Sequence, residues 1–278
     1  ITGAIAPSGN SNWQVAQLAV EQINAAGGMA GRPVELFLED TASDPKAAVA
    51  NVRKLIQRDK VDVLIGTVHS GVQMGIHRVA RESGVINLIP NAGVHIATRA
   101  QCAPNVFRTS FSNSQPTMAL GEAMVKRGHR KAVWITWKYA AGDEAFEGFK
   151  ESYTKAGGTI VKELGLPFPN VEFQALLTEI ASIKPDAVAC FFSGGGASKF
   201  IRDYAAAGLK GKIPLYGSGF RSERTSAANC PTNCLSMPLI LMCVWSGHVT
   251  FKPFGTGTWS SLANPTRSCS MSFCKTAK

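Results

Sequence analysis

Residues 61–91 read VDVLIGTVHSGVQMGIHRVARESGVINLIPN. Two short apolar runs, VDVLI and VINLI, each end at a Gly- or Pro-containing turn. Between them, Val72, Ile76, Val79 and Ala80 recur at helical spacing up to Glu82, and Gly84 supplies a stop. Strand, 10–15-residue helix, strand is the pattern of a βαβ unit in a parallel sheet.

The same rhythm runs outward from this unit. Further strand-like runs begin at Pro33 (PVELFLED), Lys131 (KAVWITWK), Thr159 (TIVKELGL), Asp186 (DAVACFFS) and Ile213 (IPLYGSG). Amphipathic helices are expected over Trp13–Ala25, Pro45–Arg58, Pro116–Arg127, Asp143–Ala156, Phe173–Ile183 and Ser198–Ala207. Ser43-Asp44-Pro45 has the form of a helix start, a polar cap followed by proline. Gly27, Gly157 and Gly208 stand where helices should stop. The polar, irregular stretch Asn91–Gln115 reads as a connection between two α/β lobes. The expected division is lobe one over 1–110, lobe two over 111–220, and a tail over 221–278.

The tail has a different composition. It holds nine Ser, seven Thr and five of the seven Cys, and shows neither helical nor strand periodicity. Two readings stay open for it: an irregular C-terminal region, or out-of-frame translation. It also carries six basic residues against one acidic, half of the chain's net charge of +10. No basic run is interleaved with aromatics, so nucleic acid is not an expected partner. At 278 residues, 45% hydrophobic and 17% charged, the chain can build a sizeable core, and no run approaches the ~18 apolar residues of a membrane span.

Enzyme signatures fail one by one. Gly194-Gly195-Gly196 follows a strand, but residue 199 is Lys, so the dinucleotide fingerprint is broken. There is no phosphate-binding loop with a Gly-Lys-Ser/Thr ending, and G-x-S-x-G is met only in the wrong form at Gly217–Gly219. His69 and His77 lie eight apart, and Cys230 and Cys234 have no fitting companions, so no metal set is expected. No cofactor and no enzymatic activity are expected.

ITGAIAPSGN, AVEQINAAGGMAGRPVELFLEDTASDPKAAV, VDVLIGTVHSG, INLIPNAG and NVFRTSFSNSQ follow one another in order. So do AGDEAFEGFKESYTKAGGTIV and PDAVACFFSGGGASKFIRDYAAAGLKGKIPLYGSGF. Over residues 1–220 this series resembles the type I periplasmic binding proteins of the branched-chain amino acid transporter family; the tail does not. The resemblance implies two Rossmann-like lobes with parallel sheets joined by a hinge, closing on a ligand. It implies a periplasmic monomer that delivers a small ligand to the permease of an ABC importer, with its signal peptide removed ahead of Ile1. Family members carry a strand before the segment matching Ile1, and further elements after Phe220. A ligand-sensing domain of a regulator or receptor would look the same in these residues.

Sites in open α/β sheets lie at the carboxyl ends of strands. Val68-His69-Ser70 follows one strand and starts a helix, whose free N–H groups and Ser70 hydroxyl suit a carboxylate. Asn91-Ala92-Gly93 follows the next and offers backbone N–H groups to the same anion. The resemblance assigns the ligand carboxylate to these two turns. Amino-acid-binding members place a hydroxyl residue at Gly93, tyrosines at Ser8 and near Ala141, and an ammonium-binding glutamate near Ser218. A buried ammonium without a counter-charge costs several kcal/mol. An aromatic or bulky apolar carboxylate is therefore expected in place of an α-amino acid. Ser8, Gly93, Ala141 and Gly194-Gly195-Gly196 would leave it room, His69 and Tyr139 would offer hydrogen bonds, and Trp13 a stacking face.

Overall fold

The computed structural model of the chain describes residues 1–218. The expectations for the tail over 221–278 lie outside the described residues. Two parallel sheets carry the architecture. The first joins β1 (Val63–Ile65), β2 (Ile86–Ile89) and β3 (Val106–Arg108), in the order β1-β2-β3. The second joins β4 (Lys131–Lys138), β5 (Thr159–Pro167), β6 (Ala187–Phe191) and β7 (Leu215–Gly217), in the order β5-β4-β6-β7. Among the described residues seven α-helices accompany them: α1 (Ala6–Ala25), α2 (Pro45–Gln57), α3 (Ser70–Ser83), α4 (Gln115–Lys126), α5 (Ala140–Lys155), α6 (Gln174–Ile183) and α7 (Gly194–Ala206).

In the second sheet β4 is buried from Ala132 to Trp137, as a strand covered on both faces must be. Trp134 points to the side of α4 and α5 and packs with Leu120, Met124, Phe149 and Tyr153. Val133, Ile135 and Trp137 point the other way, into Leu177, Ile180, Phe200 and Tyr204 of α6 and α7. Each of these large side chains contributes about 2–3 kcal/mol of burial.

The first sheet is covered on one face. Leu64 packs with Val72, Ile76 and Ala80 of α3 and with Ala48 and Val52 of α2. On the same face Ile89 and Val106 join Ala92, Val94, Ala97 and Ala103. Asn87 is polar and fully buried there, and Gln73 Nε2 donates to its Oδ1 at 2.9 Å. That bond braces the first turns of α3 against β2. The opposite face presents Val63, Ile65, Ile86 and Phe107 as exposed side chains.

The helices follow the sequence pattern closely, and Asp44 caps α2 by accepting from the Lys46 N–H at 2.8 Å, with Pro45 in the first turn. Gly84 ends α3 at φ 74°, a left-handed position that other residues rarely adopt. Three expectations need correction. The run PVELFLED from Pro33 forms no strand, because among the described residues no strand lies beside it to complete a ladder; Phe37 and Leu38 stand exposed. The Asn91–Gln115 stretch is not only a connection: its residues Val106–Arg108 are β3, paired in parallel with β2. The first helix starts at Ala6 rather than near Trp13, and none of its residues is buried.

Candidate functional site

Every turn singled out in the sequence stands at the carboxyl end of a parallel strand. β1 leads to His69 and Ser70, β2 to Asn91–Gly93, β4 to Tyr139, β6 to Gly194–Gly196 and β7 to Ser218. The ends of the two sheets meet. The His69 ring stacks on Tyr139 at 5.0 Å between centroids and lies 4.6 Å from Phe168, which follows β5. Phe168 was not a candidate in the sequence; only its place after a strand marks it.

His69 caps α3. Its Nδ1 accepts from the Val72 N–H at 3.1 Å, so in the neutral ring the proton sits on Nε2. Burial lowers the His69 pKa to about 4, which keeps the ring neutral near pH 7. The Nε2–H is buried and finds no acceptor among the described residues. Ser70 is the first residue of α3, and its hydroxyl oxygen accepts from Asn113 Nδ2 at 3.2 Å. The N–H groups of Ser70 and Gly71, in the open first turn, have no partner among the described residues.

The Asn91–Gly93 turn is tied to the same place. The Ala92 N–H donates to Thr67 O at 3.0 Å, so this amide is not available to an anion, contrary to the expectation for the whole turn. The Gly93 N–H has no partner among the described residues. Arg108, at the end of β3, donates from Nη1 to the Gly93 and Phe111 carbonyls at 3.0 and 3.3 Å. Its guanidinium is half-buried behind the turn, and burial pulls its pKa down. Asn91 Oδ1 is buried and has no partner among the described residues.

Sequence reasoning missed a polar cluster beside these turns. Asn113 Nδ2 donates to Glu144 Oε2 at 2.8 Å as well as to Ser70. Glu144 Oε1 accepts the His95 N–H at 2.9 Å, and the His95 ring pairs with Ser114 Oγ at 2.9 Å. Burial raises the Glu144 pKa, and the hydrogen bonds from His95 and Asn113 oppose that rise. Burial, with Arg99 and Arg108 nearby, lowers the His95 pKa to about 4.

The room expected from small residues is in part already filled. A Cβ on Gly93 would meet Asn113 Oδ1 at 2.5 Å and Asn113 N at 2.7 Å. On Gly194 it would meet the Ala4 carbonyl oxygen at 2.5 Å, and on Gly196 the Trp137 ring at 2.3 Å. Ala141 is buried in the core between β4 and α5. Gly195 alone of that triplet faces open space. Tyr139 is hydrogen-bonded to Ser193, and burial raises its pKa. Val68 lies between Thr67 and the His69 cap. Ser218 follows β7, its N–H donates to Cys190 O at 3.3 Å, and its buried Oγ has no partner among the described residues. Ser8 and Trp13 lie on α1, which packs beside α7. Among the described residues no hydrogen bond or ring contact joins either to His69, Ser70 or Gly93.

Comparison with known proteins matches this arrangement. The chain is similar to a solute-binding protein of an R. palustris ABC transporter in complex with benzoate. The two are 52% identical with a TM-score of 0.77, over 83% of this chain and 63% of that one. A solute-binding protein from Rhodopseudomonas palustris BisB5, in complex with 3,4-dihydroxybenzoic acid, is 30% identical with a TM-score of 0.73, over 78% and 59%. The Leu/Ile/Val-binding protein BraC3 of Rhizobium johnstonii is 32% identical over 235 residues, 82% of this chain and 63% of that protein. The chain thus spans less than two thirds of the length of these relatives. The periplasmic binding protein family matches residues 1–232. With two parallel α/β sheets whose carboxyl ends face each other, and a family match over most of its length, the chain belongs to the type I periplasmic binding proteins of the branched-chain amino acid family.

Proposed function

We propose that this chain is the ligand-binding part of an extracytoplasmic solute-binding component of an ABC importer, taking a small aromatic carboxylate by closure of two lobes. The observation that carries the reading is His69. Its neutral ring stacks on Tyr139 and lies tilted against Phe168 across the meeting sheets, and its buried Nε2–H has no acceptor among the described residues. A flat apolar ring suits that aromatic company. Its carboxylate would take the Ser70 hydroxyl, the open first turn of α3 and the Gly93 N–H, with Arg108 adding positive field from behind. The benzoate and dihydroxybenzoate complexes of the two similar proteins support the same ligand class.

The resemblance to Leu/Ile/Val-binding proteins favours a second reading, an α-amino acid ligand. It needs a carboxylate free to meet an ammonium. Ser218 is not one, and Glu144 has both oxygens engaged by His95 and Asn113. On that count the aromatic acid is the better reading. Delivery to a membrane permease, action as a monomer and a periplasmic location belong to the same proposal. Closure would shift the population to the form the permease binds.

Thermal melts of the chain with benzoate, hydroxybenzoates and phenylpropanoid acids beside leucine, isoleucine and valine test it. A ligand at a hundred times its Kd adds about 2.7 kcal/mol to the folded state. A transition raised by the aromatic acids alone is expected. One raised by leucine and left unmoved by benzoate selects the second reading.

A further inference from the structure

Asn113 stands between Ser70 and Glu144 and uses both amide hydrogens there. One goes to Ser70 Oγ at 3.2 Å, the other to Glu144 Oε2 at 2.8 Å. Ser70 and Asn113 are each at least 97% buried, so water does not compete well for either group. The Asn113 backbone is fixed as well: its N–H donates to the Gly93 carbonyl at 2.9 Å. A side chain at residue 93 would collide with it, and glycine is what lets Asn113 stand so close.

A serine hydroxyl has one hydrogen to give and lone pairs to accept with. Asn113 occupies the accepting side of Ser70 Oγ. The hydroxyl hydrogen is thereby turned away from Asn113 and left for another acceptor. Glu144 is what holds the amide in that sense. It comes from α5, on the second sheet, and its other oxygen takes the His95 N–H from the first-sheet side at 2.9 Å. A carboxylate accepts at both oxygens, as these two donors require; an amide in its place would turn a donor toward one of them.

We propose that Glu144 is a positioning residue for anion binding: acting through Asn113, it orients the Ser70 hydroxyl toward the ligand carboxylate and ties that orientation to the approach of the two lobes. The proposal rests on the reading of the site as a carboxylate site. By the division at residue 110, Asn113 and Glu144 move together, and when they move away Ser70 loses its fixed donor. When they return, Asn113 meets Ser70 already oriented by Glu144. Affinity for the anion is thus coupled to closure by a residue that does not touch the ligand.

Benzoate titrations by calorimetry on the full chain test this, with S70A, E144Q, the double variant S70A/E144Q and the α5 control E147Q. E144Q is expected to weaken benzoate about ten-fold, and E147Q to leave it unchanged. The double variant is expected to bind no more weakly than the weaker single one, because both changes act on one hydroxyl. A merely structural role would make the two losses multiply, and that result overturns the proposal, as does an E144Q affinity equal to that of the unmodified chain. E144D guards against misfolding. Its ligand-free melt should stay near the unmodified one while its affinity falls about three-fold or more, since the shorter arm cannot reach His95 and Asn113 together. Unchanged affinity in E144D also overturns the proposal. Failure of the unmodified chain to take up benzoate or hydroxybenzoates sinks the carboxylate reading itself, and this inference with it.

Discussion

At the scale of single residues the site is a set of donors without acceptors. Ser70→Ala removes one of them and should weaken an aromatic carboxylate by about 1–3 kcal/mol, read by calorimetry; unchanged affinity would take Ser70 out of the site. Gly93→Ala should weaken the same ligand while leaving the Gly93 N–H in place, because its Cβ pushes into Asn113 at 2.5 Å. His69 gives a prediction in pH. Its folded-state pKa of about 4 lies below the ordinary 6.5, so the unfolded chain takes up the proton first as pH falls. Stability is therefore full above pH 6.5 and is lost between 6.5 and 4, with His95 acting in the same direction. The loss from His69 is about 2 kcal/mol at pH 5. Urea midpoints between pH 7 and 5 should fall in the unmodified chain and fall less in His69→Asn, which can still cap α3.

Sequence reading reached His69, Ser70 and Gly93 because strand, turn and helix are local grammar, and the carboxyl end of a strand follows from them. It did not reach Asn113, Glu144, His95 or Arg108. The Asn113 and His95 bonds to Glu144 span 31 and 49 residues, and nothing local in NSQPT or AGDEA marks a partner so far away. At the scale of elements the same distinction holds. Helices α2 to α7 were legible from period and caps, whereas β3 is three residues long in a polar stretch and becomes a strand only by pairing with β2. PVELFLED shows the converse, a good strand pattern without a neighbour. Coverage then decides stability. β4 is buried on both faces, while the first sheet leaves Val63, Ile65, Ile86 and Phe107 exposed on one. Hydrogen exchange should accordingly find the amides of β1 and β2 opening at lower free energy than those of β4. Equal protection would show that the bare face matters less than the ladder.

At the scale of the molecule, two groups of contacts join the sheets' carboxyl ends: the His69 ring against Tyr139 and Phe168, and the hydrogen bonds of Glu144 with His95 and of Asn113 with Ser70. Neither is large. Two hydrogen bonds and two ring contacts contribute a few kcal/mol at most. Under the proposed closure, that is the scale at which a ligand can decide between open and closed forms, since a ligand shifts an equilibrium only by its differential affinity for the two. The His95 amide is a reporter of that equilibrium, because its acceptor, Glu144 Oε1, lies on the other side of the junction. Saturating benzoate should slow exchange of the His95 N–H about ten-fold or more, the amount expected when closure gains about 1.4 kcal/mol. Amides inside β4, paired on both sides within one sheet, exchange through global opening and should slow only by the stability that binding adds to the whole chain. Slowing in β4 with an unchanged His95 N–H would mean that benzoate binds without closing one lobe on the other, and would place the ligand away from this junction.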